Sequence, residues 1–293
     1  MNLLKHLLLP LCTLLSISNP GTLLTKQEPP FQENIPVATR WLLDAAGESE
    51  RAAISSVYMI LCPKKSSRGT GFFLKGGPIV TVAHAIQGCQ ASEIIAISPF
   101  NEKITFNNII ADPKRDLALL FPSKKLSGGL LLDVDENPCI GVTVSTWGFP
   151  DGWSGPAPLL SVGYLSGYMA QKKDVGSESF VKLLVVNGAF NPGNSGGPLF
   201  LLNDNKVIGI VVSKLIPLSR SHLSAIEALA KNKSGLIYRA IDEKGNKIVV
   251  TESQVVAQVL ERFRELTQVM IGQAVHLSEL RAFLREQGIK EPA

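Results

Sequence analysis

Three residues of this sequence are of the types that cooperate in nucleophilic catalysis: His84, Asp116 and Ser195. A serine hydroxyl is a weak nucleophile by itself, so it needs a base, which in turn needs an orienting group. Ser195 lies in the string Asn-Pro-Gly193-Asn-Ser195-Gly-Gly-Pro-Leu. Glycine at 193 allows backbone angles that direct its N–H inward, where it can join the Ser195 N–H in stabilising a carbonyl oxyanion. The string therefore predicts a nucleophile beside an oxyanion site.

The base and its orienting group are found upstream of the serine. His84 ends an apolar run that begins at Ile79, and Asp116 begins the run that continues to Leu120. A carboxylate at the start of an apolar strand is costly unless it is paired, and an imidazolium would supply the partner. Asp112 is the alternative orienting group, but because Pro113 follows it we interpret it as a turn residue. We therefore expect His84 to act as the base and Asp116 as its orienting group.

The elements that must position these residues are short β-type runs broken by Gly, Pro, Asn and Asp. Many short strands at near-regular spacing are typical of all-β sandwiches and barrels. The predicted strands are Ser56–Leu61, Thr70–Leu74, Ile79–Ala83, Glu93–Ser98, Lys103–Ala111, Leu117–Phe121, Ile140–Trp147, Leu159–Leu165, Phe180–Asn187, Leu199–Leu202, Val207–Ser213, Leu236–Ile241 and Lys247–Thr251. Their division by a stretch rich in Gly, Ser and Asp, Pro122 to Pro138, predicts two small barrels that meet at a cleft.

Helical periodicity is confined to the later part of the chain. Apolar residues recur every three or four positions in Ser221–Lys231, in Glu252–Met270 and after Ser278. Such stripes indicate amphipathic helices that pack against a barrel.

Three sequence blocks resemble the signature blocks of trypsin-like serine endopeptidases, and are most similar to the bacterial Deg/HtrA type. The blocks are Thr81-Val-Ala-His84, Asp112-Pro-Lys-Arg-Asp116-Leu-Ala and Gly193-Asn-Ser195-Gly-Gly-Pro-Leu, with Gly69-Thr-Gly-Phe and Trp147-Gly-Phe-Pro in support. The resemblance covers about residues 52–215. It implies an all-β fold, a chymotrypsin-like double six-stranded β-barrel with C-terminal helices, and a triad in the cleft between the barrels.

The chain departs from the family at informative positions. Asn194 stands where digestive members have an aspartate that pairs with a newly cut N-terminus. Ala189, beside Phe190, stands where trypsin has an acidic pocket floor, so the resemblance implies a substrate pocket for a small or medium apolar residue. The PDZ domain common in Deg/HtrA proteins has no match after Thr251, and the stretch Lys214–Lys247 does not match the family.

The string Gly193-x-Ser195-x-Gly197 also satisfies the Gly-x-Ser-x-Gly elbow of α/β-hydrolases. That elbow needs a helix after the serine and then an acid and a histidine downstream. Here a strand follows the serine, and His222 and His276 lie in stretches predicted to be helical. The pattern therefore disfavours the hydrolase elbow.

The N-terminal residues resemble a secretory leader. Lys5 precedes an apolar run from Leu7 to Leu15, and small residues precede Asn19, which is typical of a signal peptide cleaved near Ser18. An uncleaved anchor or a buried N-terminal helix are the alternatives. In an oxidising compartment Cys62 and Cys89 can pair, which leaves Cys139 unpaired.

Together these patterns predict the domain organisation. They predict a signal peptide at 1–18, a linker at 19–50, a first barrel at 51–125, a second barrel at 126–251 with a helical insertion at about 219–235, and a helical extension at 252–293.

The composition limits the classes of function. A net charge of +4 spread along the chain is too weak for a nucleic-acid footprint. With scattered histidines and no Cys-x-x-Cys pair, we expect no metal, and the resemblance implies no organic cofactor. The sequence thus predicts an exported, periplasmic or secreted serine endopeptidase that acts on proteins or peptides, without a stable membrane span after cleavage of the leader. A catalytically inactive, protease-like binding or scaffold protein is the alternative.

Overall fold

The computed structural model describes residues 35–135, 137–173, 178–202, 204, 206–214, 220–241, 245–266 and 270–291. The leader predicted at 1–18 and the linker stretch 21–32 lie outside these residues. Helix α1 (Val37–Ala45) lies within the range predicted as linker, and α2 (Glu48–Ser56) begins there and continues into the range predicted as first barrel. Ala53 and Ile54 of α2 are fully buried, so packing against the barrels holds this helix in place.

The first sheet contains seven antiparallel strands in the order β5-β4-β1-β2-β3-β7-β6. Their bounds are β1 (Val57–Cys62), β2 (Ser67–Phe73), β3 (Ile79–Thr81), β4 (Ile95–Ile97), β5 (Lys103–Ile104), β6 (Phe106–Asp112) and β7 (Leu117–Pro122). Because Thr105 alone separates β5 from β6, the two edges of the sheet belong to one bent segment, which makes the sheet barrel-like. A disulfide joins Cys62 to Cys89, whose Cα atoms are 6.5 Å apart, while Cys139 is free and exposed.

The second sheet begins with β8 (Leu131–Leu132), β9 (Thr143–Gly148), β10 (Leu159–Lys172), β11 (Phe180–Gly188), β12 (Pro198–Leu201) and β13 (Lys206–Lys214). After β13 the chain leaves the sheet and forms α3 (Arg220–Lys231), the hairpin β14 (Ile237–Ile241) and β15 (Lys247–Thr251), and α4 (Glu252–Leu266). It then returns as β16 (Gly272–His276), which is followed by α5 (Leu277–Glu286).

Strand β16 completes the second barrel. It pairs with β11 on one side and with β13 on the other, and β12 pairs with both β9 and β13. The closed ring therefore runs β12-β9-β10-β11-β16-β13. The sequence predicts helix throughout 252–293, and the structure differs at 272–276, where hydrogen bonds to two neighbouring strands decide the conformation.

Three groups of buried side chains stabilise the fold. One fills the first barrel around Tyr58 and Ile79, and a second fills the second barrel around Leu184 and Leu199. The third lies between the barrels and includes Phe72, Phe149 and Phe200 with the apolar face of α5. The predicted all-β double barrel with C-terminal helices is confirmed, and each predicted strand has a counterpart. No helix among the described residues is both long and apolar enough to cross a membrane.

Candidate active site

The three predicted catalytic residues come from separate parts of the fold. His84 begins a short 3-10 turn just after β3, Asp116 lies in the turn between β6 and β7, and Ser195 lies in the loop between β11 and β12. Gly69 of β2 shows how close the histidine and serine segments come. A Cβ at Gly69 would lie 3.0 Å from the Cβ of Ala85 and 3.2 Å from the carbonyl oxygen of Ser195. A side chain at this position would therefore crowd both segments.

His84 and Asp116 form a paired unit. The imidazole Nδ1 lies 2.6 Å from Asp116 Oδ2, and the backbone N–H of His84 donates to Asp116 Oδ1 at 2.9 Å. Both carboxylate oxygens are thus occupied by the same residue. Because a neutral imidazole that donates from Nδ1 has its lone pair on Nε2, this contact favours the tautomer that a general base requires.

The turn that carries Asp116 is held by its neighbour, Arg115. Asp116 has a φ of 54°, a left-handed conformation that aspartate tolerates better than most residues. The Arg115 side chain is 10% exposed and donates to Asp112, to Glu279 and in a bidentate manner to Glu286. The hydrogen bond between Arg115 and Glu286 is the main cause of two pKa shifts. It raises the pKa of Arg115 above its usual value and lowers the pKa of Glu286 below its usual value.

This network also distinguishes the two aspartates that the sequence offers as orienting group. The carboxylate of Asp112 accepts hydrogen bonds from the backbone N–H groups of Lys114 and Arg115 and from the Arg115 side chain. Asp112 is therefore a turn and ion-pair residue, and the contact with His84 is made by Asp116.

The Ser195 hydroxyl has a different partner from the one the sequence predicts. Its Oγ donates to the carbonyl oxygen of Val212 in β13 at 2.8 Å. Among the hydrogen bonds of the described residues, none joins Ser195 to His84. Val212 and His84 nevertheless line one cavity of about 200 Å³, together with Asp116. Ser195 is thus linked to this cavity through its hydrogen-bond acceptor Val212 and does not itself line it.

The loop before the serine is shaped by glycines in left-handed conformations. Gly193 has a φ of 90° and Gly196 a φ of 91°. A Cβ on Gly193 would lie 2.4 Å from the carbonyl oxygen of Phe149, and one on Gly196 would lie 2.0 Å from that of Thr70. Backbone approaches this close exclude any side chain at either position.

The two predicted oxyanion donors have no internal partner. Within the described part of the chain, neither the N–H of Gly193 nor that of Ser195 donates a hydrogen bond, whereas the N–H groups of Asn194, Gly196 and Gly197 all do. Since backbone N–H groups are rarely left without an acceptor, two such donors beside a serine suit an incoming oxyanion.

The predicted pocket residues lie just before this loop. Ala189 is half-buried, while Phe190 is 4% exposed and belongs to the core of the second barrel. A Cβ on Gly272 of β16 would lie 2.2 Å from the Phe190 ring, so the ring packs directly on that strand. Neither residue lines the cavity beside His84 and Asp116.

Sequence reasoning did not single out Thr70, Arg115 or Val212. Thr70 and Val212 bond to predicted site residues, and Arg115 bonds to Asp112 within the turn that carries Asp116. Arg115 and Thr70 lie within the sequence blocks that carry the family resemblance, and this position was the one sequence feature that could have pointed to them. Val212 contacts Ser195 through its backbone carbonyl, which every residue type has, so the sequence could not indicate this contact. No three His, Cys, Asp or Glu side chains of the described ranges cluster in a way that could hold a metal ion.

Comparison with known proteins relates part of this chain to a family of peptidases. Residues 69–210 match the trypsin-like peptidase domain. A probable periplasmic serine endoprotease, DegP-like, from Pseudomonas fulva is 34% identical over 145 residues, which are 49% of this chain and 28% of that protein. A DegP-like protein from Bartonella henselae is 26% identical over 227 residues, 77% of this chain and 42% of that protein. The match thus spans less than half the length of either relative.

Solved structures give the same fold. The active form of the Rv3671c protease from M. tuberculosis superposes with a TM-score of 0.56 at 18% identity, covering 91% of this chain and 96% of that one. The HtrA-type protease AlgW with a decapeptide gives a TM-score of 0.51 at 17% identity, covering 81% of this chain and 66% of that one. Residues 69–210 thus match a trypsin-like peptidase domain. The relatives and solved structures that the chain resembles include DegP-like and HtrA-type serine proteases.

Proposed function

We propose that this protein is an exported serine endopeptidase that hydrolyses peptide bonds through an acyl-enzyme intermediate. The observation that carries the proposal is the pair His84–Asp116, with Nδ1 and Oδ2 2.6 Å apart, at a cavity bordered by the serine's hydrogen-bond acceptor. In this mechanism Ser195 attacks the substrate carbonyl carbon while His84 Nε2 accepts its proton. The N–H groups of Gly193 and Ser195 stabilise the oxyanion.

The second half of the reaction uses the same groups. The histidine returns its proton to the leaving amine, which departs, and water then attacks the acyl-enzyme with His84 again as the base. The bond between the acyl carbon and Ser195 Oγ breaks, Oγ takes the proton from His84, and the carboxylic acid product leaves. Asp116 keeps the imidazole in the required tautomer and stabilises its cation. The first attack therefore needs the serine hydroxyl to leave its hydrogen bond with Val212 and turn towards His84.

The position of Ala189 supports a preference for a small or medium apolar residue at the cleaved bond. It has no charge that would attract arginine or lysine, and the neighbouring Phe190 is packed into the core. Profiling with a peptide library would test this part of the proposal, and strong cleavage after basic residues would overturn it.

Export is supported by two observations. Disulfides persist in oxidising compartments, and Cys62 is bonded to Cys89. The relatives named above are described as periplasmic. Together with the leader predicted at 1–18, these observations favour a periplasmic or secreted enzyme.

An inactive binding or scaffold protein is the second candidate, and the Ser195–Val212 hydrogen bond is the observation that favours it. Labelling with a fluorophosphonate probe separates the two, because phosphonylation needs a nucleophile, a base and oxyanion donors at once. The enzyme predicts labelling that Ser195→Ala abolishes. Absence of Ser195-dependent labelling in folded protein would support the scaffold.

A further inference from the structure

Thr70 is a fully buried threonine of β2 that bonds across the two barrels. It lies between Gly69 and Gly71, and its side chain has no exposed surface. Its backbone N–H donates to the carbonyl oxygen of Ser195 at 2.8 Å, and its hydroxyl donates to the carbonyl oxygen of Gly193 at 2.6 Å. One residue of the first barrel therefore holds two carbonyl groups of the nucleophile loop.

The direction of the hydroxyl bond is fixed by a third contact. The N–H of Phe149 donates to Thr70 Oγ1 at 3.0 Å. Since an amide N–H is only a donor, Oγ1 accepts there and its own proton is left for Gly193. The threonine thus links the Phe149 segment to the nucleophile loop through one oxygen atom.

These bonds act on the peptide groups around the predicted oxyanion donors. The Gly193–Asn194 peptide is held at both ends, at its carbonyl by Thr70 and at its N–H by the carbonyl oxygen of Asn191 at 3.0 Å. The Ser195–Gly196 peptide is held likewise, by Thr70 and by the carbonyl oxygen of Val211 at 2.7 Å. The Asn194–Ser195 peptide, which carries the Ser195 N–H, lies between these two fixed peptides. The peptide that carries the Gly193 N–H comes directly before them.

We infer that Thr70 is a positioning residue that orients the oxyanion donors Gly193 and Ser195, an inference that rests on the proposed function. Without the Thr70 hydroxyl the Gly193 carbonyl oxygen loses its hydrogen-bond donor. A glycine with a φ of 90° has no side chain to resist rotation of the adjoining peptides. Pre-organised donors are what stabilise the transition state, so their disorder lowers turnover more than it lowers substrate binding.

The test compares three variants. Thr70→Val removes the hydroxyl at nearly constant volume, and Thr70→Ser restores it. Thr39→Val is the matched control, because Thr39 is also fully buried and its hydroxyl also donates to a carbonyl oxygen, that of Pro99, at 2.7 Å, away from the site. The measurements are the rate constant of fluorophosphonate labelling, kcat and KM for a protein substrate such as casein, and thermal unfolding.

Thr70→Val is expected to lower the labelling rate constant and kcat about 10- to 100-fold, somewhat less than the loss of a whole oxyanion donor, with KM changed less than about threefold. Thr70→Ser should stay within about threefold of wild type, and Thr39→Val should label at the wild-type rate. Should Thr70→Val not fold, Thr70→Ala is expected to show the same loss of kcat.

Several outcomes would overturn the inference. Full labelling by Thr70→Val would show that the hydroxyl is merely structural, and leave the peptidase proposal intact. An equal loss in Thr39→Val would assign the effect to global stability. Failure of the wild-type protein itself to label through Ser195 would remove the proposed function and this inference together.

Discussion

Replacing Asp116 with asparagine offers a sharp test of the His84–Asp116 pair. The backbone N–H of His84 donates to Oδ1, so the amide oxygen of asparagine must take the position of Oδ1. The opposite orientation would place the NH₂ group of asparagine against the N–H of His84, and both are donors. The NH₂ group then occupies the place of Oδ2, 2.6 Å from Nδ1 in the wild-type protein. It donates to Nδ1 and drives the proton to Nε2, which can no longer accept the proton of Ser195.

The expected loss is large and specific to activity. In trypsin-like triads this tautomer change lowers kcat by about 10⁴-fold, equivalent to about 5 kcal/mol in the activation free energy. Stability should change much less, by about 1–3 kcal/mol for one charge-assisted hydrogen bond at a half-exposed pair. Asparagine also tolerates the left-handed conformation at this position, where φ is 54°.

The assay is kcat on a casein substrate beside the free energy of unfolding in urea. Asp112→Asn serves as the control, since Asp112 contacts Arg115 and backbone N–H groups rather than His84. We expect it to keep kcat within about tenfold of wild type. Turnover near wild type in Asp116→Asn, or an equal collapse in Asp112→Asn, would refute the assignment of the orienting residue.

Two further substitutions test the loop and the disulfide. Gly196→Ala should abolish fluorophosphonate labelling, because the added Cβ would lie 2.0 Å from a carbonyl oxygen of β2. Gly141→Ala is the control and should leave labelling intact, because a Cβ there would have no atom within 4 Å. Labelling of Gly196→Ala would contradict the prediction by showing that the loop can relax. Replacing both Cys62 and Cys89 with serine should lower the unfolding free energy by about 3 kcal/mol, because their sequence separation of 27 gives a loop of intermediate length. Denaturant midpoints under non-reducing conditions check this, and an unchanged midpoint would contradict it.

The strands and the motif residues could be predicted from the sequence because both depend on local patterns. Alternating or continuous apolar runs bounded by turn residues located each predicted strand, and the residue types around His84, Asp116 and Ser195 pointed to one chemistry. The hydrogen bond between Ser195 and Val212 could not be predicted, since it depends on a rotamer and on a backbone carbonyl from another strand.

Two parts of the fold needed tertiary information. Strand β16 has the short sequence Gly-Gln-Ala-Val-His, which has no marked periodicity and follows a clear helical stripe. Its conformation comes from pairing with β11 and β13, which lie far away in sequence. The helices α1 and α2 were likewise not predicted, because such short helices gain stability through packing rather than through local propensity.

The return of the chain at β16 has a consequence for the order of assembly. Gly272 pairs with Lys214, and the elements described between them, α3, β14, β15 and α4, contribute no strand to the barrel. During synthesis the ring of the second barrel cannot close until residue 276 has emerged from the ribosome, and α5 can bury its apolar face only after that. Because side chains of α5 belong to the buried cluster between the two barrels, that cluster should be complete only after residue 286 has been made.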